Sequence, residues 1–514
     1  MNAIELSVFA SRISAICDEM GAVLRRAALS PNIKDRLDFS CAVFDTAGRL
    51  CAQAAHIPVH LGSMAYAMEG IVRNIAWRPG DTVIVNDPYL GGTHLPDVTL
   101  ITPVFLQGGE LAGFVVNRAH HADIGAATPG SMPISRSLEE EGMIIPPTPL
   151  VRAGRLDETV MAGLMQGSRN AAQAHGDYAA QLSANRCGAG RLTALVEGMG
   201  REAFAEALGA LNDYAERLAL ASLADIPDGC YAFRDVMDDD GAGTRDLAIA
   251  VRITKGGGRV EVDFSGTAAQ APGNVNCPLS VAAAAVFYVF RCLMPAHTPA
   301  CAGAFRPITL TAPQGCLVNA RRPAAVAAGN VETSMRIVDT VLGALAQALP
   351  GRIPAASQGT MNNIAMGGDH GGAWDYYETL GGGMGAGARG PGPGAVHSHM
   401  TNTLNTPVES AEMHFPLRIR RYAIRRGSGG AGRHAGGDGL VREYEFLAPA
   451  TVTLITERRR HRPWGLDGGQ PGKAGRNRLN GSELPPKTVF EARPGDRLCV
   501  ATPGGGGWGR ASEQ

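Results

Sequence analysis

Apolar residues near the start of the chain recur at three- and four-residue spacings: Ile13, Ile16, Cys17, Met20, Val23 and Leu24. That stripe predicts an amphipathic helix, which Ser30-Pro31 ends. The period then changes. In LDFSCAVFD, Leu37, Phe39, Cys41 and Val43 alternate with Asp38, Ser40 and Ala42, which predicts a strand. TAGR turns the chain into a second strand at LCAQA. Between Asp81 and Gly125, DTVIVND, DVTLITPVF and LAGFVVNRAHH read as three more strands, the last two joined by a QGGE turn. Residues 155–222 are rich in Ala, Leu and Arg and lack proline, so helices are expected there. Alternation returns from Ile226 to Thr267. Buried helices are then predicted at 279–293 and 331–349, the second stopped by Pro350-Gly351. Beyond 355 the chain is glycine-rich loop and short strand.

The pattern as a whole predicts an α+β protein with multi-domain mixed sheets, packed helices and glycine-rich loops. Its changes of character divide the chain into an N-terminal α/β region at 1–155, a helical and β middle region at 156–355, and a β-rich, glycine-rich C-terminal region at 356–514.

Charge narrows the partners. Lys+Arg total 47 against Asp+Glu 48, and that balance argues against an electrostatic nucleic-acid binder. The ten cysteines are scattered without a CxxC pair, as expected of reduced thiols in a cytoplasmic protein. No run approaches eighteen apolar residues, and the first twenty positions lack the unbroken apolar core of a signal peptide, so no membrane contact is expected. Glycine is the oddity: 67 of 514 residues, nearly twice the roughly 7% background. Much of it is expected to shape backbone around a pocket and a subunit contact.

The densest chemistry lies in NDPYLGGTHLPDVTL, Asn86 to Leu100, and NRAHHADIG, Asn117 to Gly125. Asp87, His94, Asp97, His120, His121 and Asp123 fall at the ends of predicted strands. Imidazole with carboxylate and no thiolate suits a divalent ion such as Zn, Mn or Fe. Pro96 forces a loop that can fold His94 and Asp97 onto one ion. If the backbone stays extended at His120-His121, their rings point to opposite faces and at most one is a ligand. Asp38, a carboxylate in an apolar strand, needs a partner and is a fourth candidate. His56 and His60 flank Pro58, which argues for a loop or helix start. The polar stretch HSHMTNTLNTPVESAEMH, with His397, His399, Asn402, Asn405, Glu409 and Glu412, reads mainly as turn formers.

Nucleotide motifs fail. GSGGAG at 427–432 matches GxGxxG but runs into GRHAGGDG instead of a helix, and no GxxxxGK[ST] or GxSxG occurs. Any nucleotide the reaction needs is expected on another subunit.

Taken in order, NDPYLGGTHLPDVTLITPVF, NRAHHADIGAATPGSMP, EEEGMIIPP, APGNVNCPLS, AAGNVETSMRIVDTVLGALAQALPG and GSGGAGRHAGGDGLVRE resemble the hydantoinase B/oxoprolinase family, from about Leu37 to Gly509. The resemblance implies a B-type component that works in a hetero-oligomer with an A-type ATP-binding partner carrying ATP and Mg. Together such pairs open cyclic amides (hydantoins, 5-oxoproline, other lactams). Relatives include subunits of acetone and acetophenone carboxylases. It implies a divalent ion on Asp38, His94, Asp97 and one histidine of the pair, for which His120 is favoured. His121 and Asp123 are then candidates for proton transfer, and His60, Asn86, Asp87 and Glu141 for substrate contact. Where relatives carry an acidic, serine-containing loop before H-x-H-M-T-N, this chain reads GARGPGPGAVHSHMTNT, which removes any acidic role there. The expected chemistry is water attack, assisted by the ion, on a ring carbonyl that the partner has phosphorylated. The alternatives are a subunit of an ATP-dependent ketone carboxylase and a non-catalytic scaffold for the partner.

Overall fold

Asn2 caps the first helix, Ala3–Ala27: its side chain accepts from the Ile4 and Glu5 amides, while Glu5 accepts from the Asn2 amide at 2.8 Å. Phe9, Ile13, Ile16, Cys17, Met20 and Leu24 form its buried stripe. It lies along the helix Ala171–Met199, and Gly188 makes that approach possible. A Cβ there would sit 2.4 Å from the Met20 sulfur. The computed structural model describes residues 1–511 except Ala55, His370 and Gly371.

A seven-stranded antiparallel sheet positions the site. Its strands are β1 (Phe39–Phe44), β2 (Leu50–Gln53), β3 (Thr82–Val85), β4 (Asp97–Phe105), β5 (Leu111–His120), β6 (Thr148–Arg152) and β7 (Arg155–Leu156), in the order β2-β1-β5-β4-β3-β6-β7. The strands β1, β4 and β5 are buried on both faces along most of their length, because the helices Pro58–Arg73 and Ala171–Met199 pack nearby. Three four- or five-stranded sheets follow, drawn from residues 229–311, 363–492 and 417–501. All their pairings are antiparallel except one, in which Val260 to Asp263 pair in parallel with Ile308 to Thr311. The protein is α+β, with one mixed sheet. One apolar cluster runs from Phe9 to Ile455 and ties the N-terminal, middle and C-terminal segments together. All ten cysteines are free and six of them are buried. Among the described residues no helix is long and apolar enough to cross a membrane.

Two local features depart from the periodicity. The helix expected at 331–349 begins at Ser334, and the turn before it, Gly329–Thr333, is π-helical. Gly329 presses on the 276–277 backbone, where a Cβ would lie 1.8 Å from the Asn276 carbonyl oxygen. The wide turn thus sits where two stretches of backbone touch. The second departure concerns the glycines of 381–509. Many of them are buried against other backbone. The segments 355–358, 382–387, 392–395, 429–437, 464–472 and 503–509 exchange amide–carbonyl hydrogen bonds with one another. Examples are Gly383 to Pro503, Gly437 to Met384, Gly505 to Gly437 and Gly506 to Ala356, all 2.8–3.0 Å. GSGGAG belongs to this bundle, its Gly430 amide bonded to the Gly505 carbonyl.

A side chain in that bundle has no place to go. A Cβ on Gly437 would stand 1.8 Å from the Pro393 carbonyl oxygen, whereas one on Gly390 meets nothing within 4 Å. Gly437→Ala is therefore expected to destabilise the protein by about 3 kcal/mol or more, and Gly390→Ala to leave it unchanged, as read by chemical denaturation of the two variants beside the parent.

Candidate metal centre

Three adjacent strands bring their chemistry to one edge. Asp97, the first residue of β4, pairs directly with His120, the last of β5, so both side chains project on the same face. Asp38 immediately precedes β1, and its carbonyl accepts the His120 amide at 3.0 Å. His94 arrives from the loop that Pro96 interrupts. That loop is held by Asp97 N to His94 O (3.1 Å) and His121 N to Pro96 O (2.9 Å). His60 comes from the first turn of the helix that Pro58 starts.

The donor atoms form a tight triangle. His94 Nε2 lies 3.1 Å from Asp97 Oδ1, His120 Nδ1 lies 3.0 Å from the same oxygen, and the two nitrogens are 3.2 Å apart. Around one divalent ion bound at ~2.1 Å, neighbouring donors lie ~3.0–3.4 Å apart. In the neutral tautomer whose Nδ1–H donates to the Ala327 carbonyl at 3.3 Å, His94 turns its Nε2 lone pair toward a carboxylate oxygen. Two acceptors face each other at contact distance, an arrangement that a cation between them relieves. The residues present therefore fit a metal.

The other Asp97 oxygen is equally enclosed. Oδ2 accepts from Thr93 Oγ1 at 2.5 Å and from Asn330 Nδ2 at 3.4 Å, and lies 3.1 Å from His60 Nε2. Asp38 is looser: its Oδ2 is 3.6 Å from Arg36 Nη2 and its Oδ1 is 4.0 Å from His60 Nε2. Burial pushes the Asp97 carboxyl up, but the His60, His94 and His120 imidazoles outweigh it and hold it well below the ordinary range. Burial pulls His94 down, and Asp97 more than restores it. For His120 burial prevails, and its pKa falls.

These groups line a small cavity of about 20 Å³. A water needs ~10–15 Å³, so the cavity admits an ion and little else. Its walls also include Val331, Met361, Tyr377, Met400, Thr401 and Thr403, which sequence reasoning missed. Tyr377 stacks on His120 with centroids 4.6 Å apart. The available signals were the AAGNV segment, which supplies Asn330 and Val331, and the HMTNT stretch. The latter supplies Met400, Thr401 and Thr403 to the wall, while its Asn402 is exposed.

Several expected residues lie elsewhere. His121 points to the opposite side of β5, stacked on Tyr178 at 4.2 Å and bonded to Gln181 Oε1 at 3.0 Å. Asp123 accepts from Ser131 Oγ, the Gly125 amide and Arg169, and does not border the cavity. Asn86 and Asp87 brace the loop that carries His94. The Asn86 amide donates to Leu95 O and Met143 O and accepts from Ile145 N, and Asp87 caps the 88–90 turn and pairs with Arg322. Glu141 acts at one remove. Its Oε1 accepts from Ser135 Oγ and from the Val326 and Ala327 amides, fixing the carbonyl that receives His94 Nδ1–H. His56 packs edge-on against Phe39, and burial lowers its pKa to about 4.

Residues 2–511 match the family model described as hydantoinase B/oxoprolinase. The chain is 38% identical to 5-oxoprolinase 1 of Arabidopsis thaliana, over 98% of its own length and 42% of that protein's. It is 32% identical to the B-type subunit of a putative D-/L-hydantoinase from a Pseudomonas species, over 99% and 90%. It therefore spans about two fifths of the plant relative and nearly the whole of the bacterial one. Among solved structures, the ATP-dependent caprolactamase of Pseudomonas jessenii superposes with TM-score 0.92 at 28% identity, covering 99% of this chain and 91% of that one. An acetone carboxylase superposes with TM-score 0.88 at 19% identity, over 98% and 75%, which is a likeness of fold alone.

Two outcomes follow from the site. Glu141→Ala is expected to weaken binding of an added divalent ion ~10–100-fold, the usual effect of removing a support for a ligand, as measured by competition with a chromophoric chelator. Glu332, buried in the π turn, has its pKa raised by burial to about 8. The folded chain thus holds a proton there that the unfolded chain gives up, and stability falls as pH rises from the ordinary carboxyl range toward 8. Glu332→Gln should flatten that decline in thermal unfolding measured between pH 5 and pH 8.5.

Proposed function

The chain belongs to the hydantoinase B/oxoprolinase family, and on that premise we propose that it is the B-type component of an ATP-dependent enzyme that opens cyclic amides. The observation that carries the reading is the triangle of His94, Asp97 and His120 at the ends of β4 and β5. The relatives' names support the reaction class: a 5-oxoprolinase, a hydantoinase and an ATP-dependent caprolactamase. The bacterial hydantoinase relative is named as one subunit of its enzyme, which supports an A-type partner that binds ATP and Mg.

Asp38, His94, Asp97 and His120 would hold a divalent ion of the Zn, Mn or Fe type. Bound there, such an ion supplies Lewis-acid polarisation and makes water more acidic. The protein's own groups do the rest. Thr93 and Asn330 fix the Asp97 carboxylate, and Glu141 fixes the carbonyl that orients His94. His60 lies on the same cavity wall, and it is the imidazole we assign to proton exchange with an incoming water: its Nε2 faces Asp97 at 3.1 Å, and Ser40 Oγ lies 3.4 Å from its Nδ1. That role passes to His60 from His121 and Asp123, which face away.

The reaction balances as follows. The partner transfers the terminal phosphoryl group of ATP to the ring carbonyl oxygen, and the ring N–H proton is lost. Water adds to the activated carbon. The carbon–nitrogen bond breaks with the nitrogen protonated, leaving an acyl phosphate that a second water hydrolyses to carboxylate and phosphate.

The test is to co-purify the chain with its A-type partner and screen hydantoins, 5-oxoproline and larger lactams for ATP-dependent opening. His94→Ala should abolish turnover, by at least ~10³-fold as for loss of a metal ligand, with nucleotide binding by the partner intact. Full activity in that variant overturns the proposal. A product carboxylated at the expense of bicarbonate would instead mark this protein as part of a carboxylase.

A further inference from the structure

A second pocket, of about 560 Å³, opens between the hairpin of strands Gly229–Asp239 and Arg245–Gly256 and the C-terminal strand Arg476–Leu479. It shares no lining residue with the metal cavity. Three carboxylates line it, and all are engaged elsewhere. Asp238 accepts the backbone amides of Arg459, Arg460 and His461 at 2.7–3.1 Å. Asp239 accepts the Gly241 amide at 2.8 Å and faces Lys487. Glu483 is held by Arg478 at 2.8 Å.

Of the four arginines lining the pocket, Arg460 pairs with Asp246 at 3.2 Å, and the other three lack such a partner. The side chains of Arg245 and Arg476 have no hydrogen-bond or ion-pair partner among the described residues, although both backbones belong to strands. Arg459 sits at the base of the pocket with its guanidinium satisfied by neutral oxygens only. Nη1 donates to Asn362 Oδ1 at 2.6 Å and to the Glu457 carbonyl at 2.8 Å, and Nη2 donates to Asn477 Oδ1 at 2.8 Å. Its Nε is buried with no partner. Gly475 lets the guanidinium lie flat on the chain, since a Cβ there would be 2.8 Å from Cζ. Three guanidinium groups thus border one cavity without a hydrogen-bonded carboxylate partner, beside carboxylates engaged by other groups. Guanidinium forks match phosphate and carboxylate oxygens two at a time.

We propose that this pocket binds a multivalent oxyanion, a small molecule carrying two or more phosphate or carboxylate groups, held by Arg245, Arg459 and Arg476. The volume exceeds that of a single inorganic ion and suits a compact organic polyanion.

Titration calorimetry at low ionic strength with pyrophosphate, with citrate and with sodium chloride of matched ionic strength tests it. Saturable one-to-one binding of pyrophosphate or citrate is expected, and whichever binds more tightly identifies phosphate or carboxylate as the recognised group. Arg245→Ala with Arg476→Ala should weaken it at least roughly tenfold, as for loss of charge-assisted hydrogen bonds. The Lys replacements, which keep charge but lose the fork, should fall between. Both side chains are exposed, so folding should survive; should the double variant unfold, each single variant gives the same reading. His94→Ala should bind the anion as the parent does, which separates this pocket from the metal centre and from the fate of the ring-opening proposal. Absence of saturable binding to the parent, or undiminished binding to the double Ala variant, overturns the assignment.

Discussion

One fully buried carboxylate, that of Asp97, organises this protein. A lone carboxylate in such a place is strongly disfavoured, and it persists only where enough positive or hydrogen-donating partners converge on it. Here they converge from several parts of the chain: Thr93 and His94 from the loop before β4, His120 from β5, His60 from a helix start, and Asn330 from the π turn. The antiparallel register of β4 and β5 makes the pairing of Asp97 with His120 a property of the sheet and not of two independent rotamers. The same convergence that makes the fold around Asp97 tolerable makes it a site.

The enclosure extends through a second tier of buried ion pairs. Arg458 bridges Asp235 and Asp339 at 2.8 and 2.6 Å, joining a C-terminal loop to a middle strand and to the helix Ser334–Ala348. Glu457 holds Lys487 at 2.6 Å and Arg336 at 3.2 Å. Glu378 holds Arg442 and accepts from Tyr376 and Tyr444. Pairs of this kind contribute little net stability over apolar packing, but each is strongly unfavourable when broken. They therefore fix which segments meet, including Met361, Tyr377 and Met400, which roof the cavity.

Much of the first tier was legible in the sequence for a simple reason. Asp38, His94, Asp97 and His120 sit at strand ends whose alternation is plain, and period-two geometry separates His120 from His121. The same geometry explains the misplaced roles. His121 faces Tyr178 because neighbours on an extended chain point apart, and Asp123, in the loop beyond the end of β5, is turned to Arg169. Asn330, Tyr377 and Thr401 were not legible, since their contribution depends on packing across more than two hundred residues. The π turn was hidden too: GNVETS reads as ordinary helix, and only the backbone of Asn276 pressed on Gly329 accounts for the wide turn. The unpaired arginines of the second pocket escaped notice because composition counts charges and not their partners.

The glycine bundle carries a consequence for how the molecule is assembled in time. Its segments span residues 355 to 509, and each is held by carbonyls from others far along the chain, as Gly383 is by Pro503. Its longest closures, Gly383 to Pro503 and Gly506 to Ala356, join segments more than a hundred residues apart, so the complete bundle needs long-range loop closure before it is rewarded. The region that seals the C-terminal half should therefore be the last part of the chain to set, after the N-terminal sheet has already gathered β1, β4 and β5.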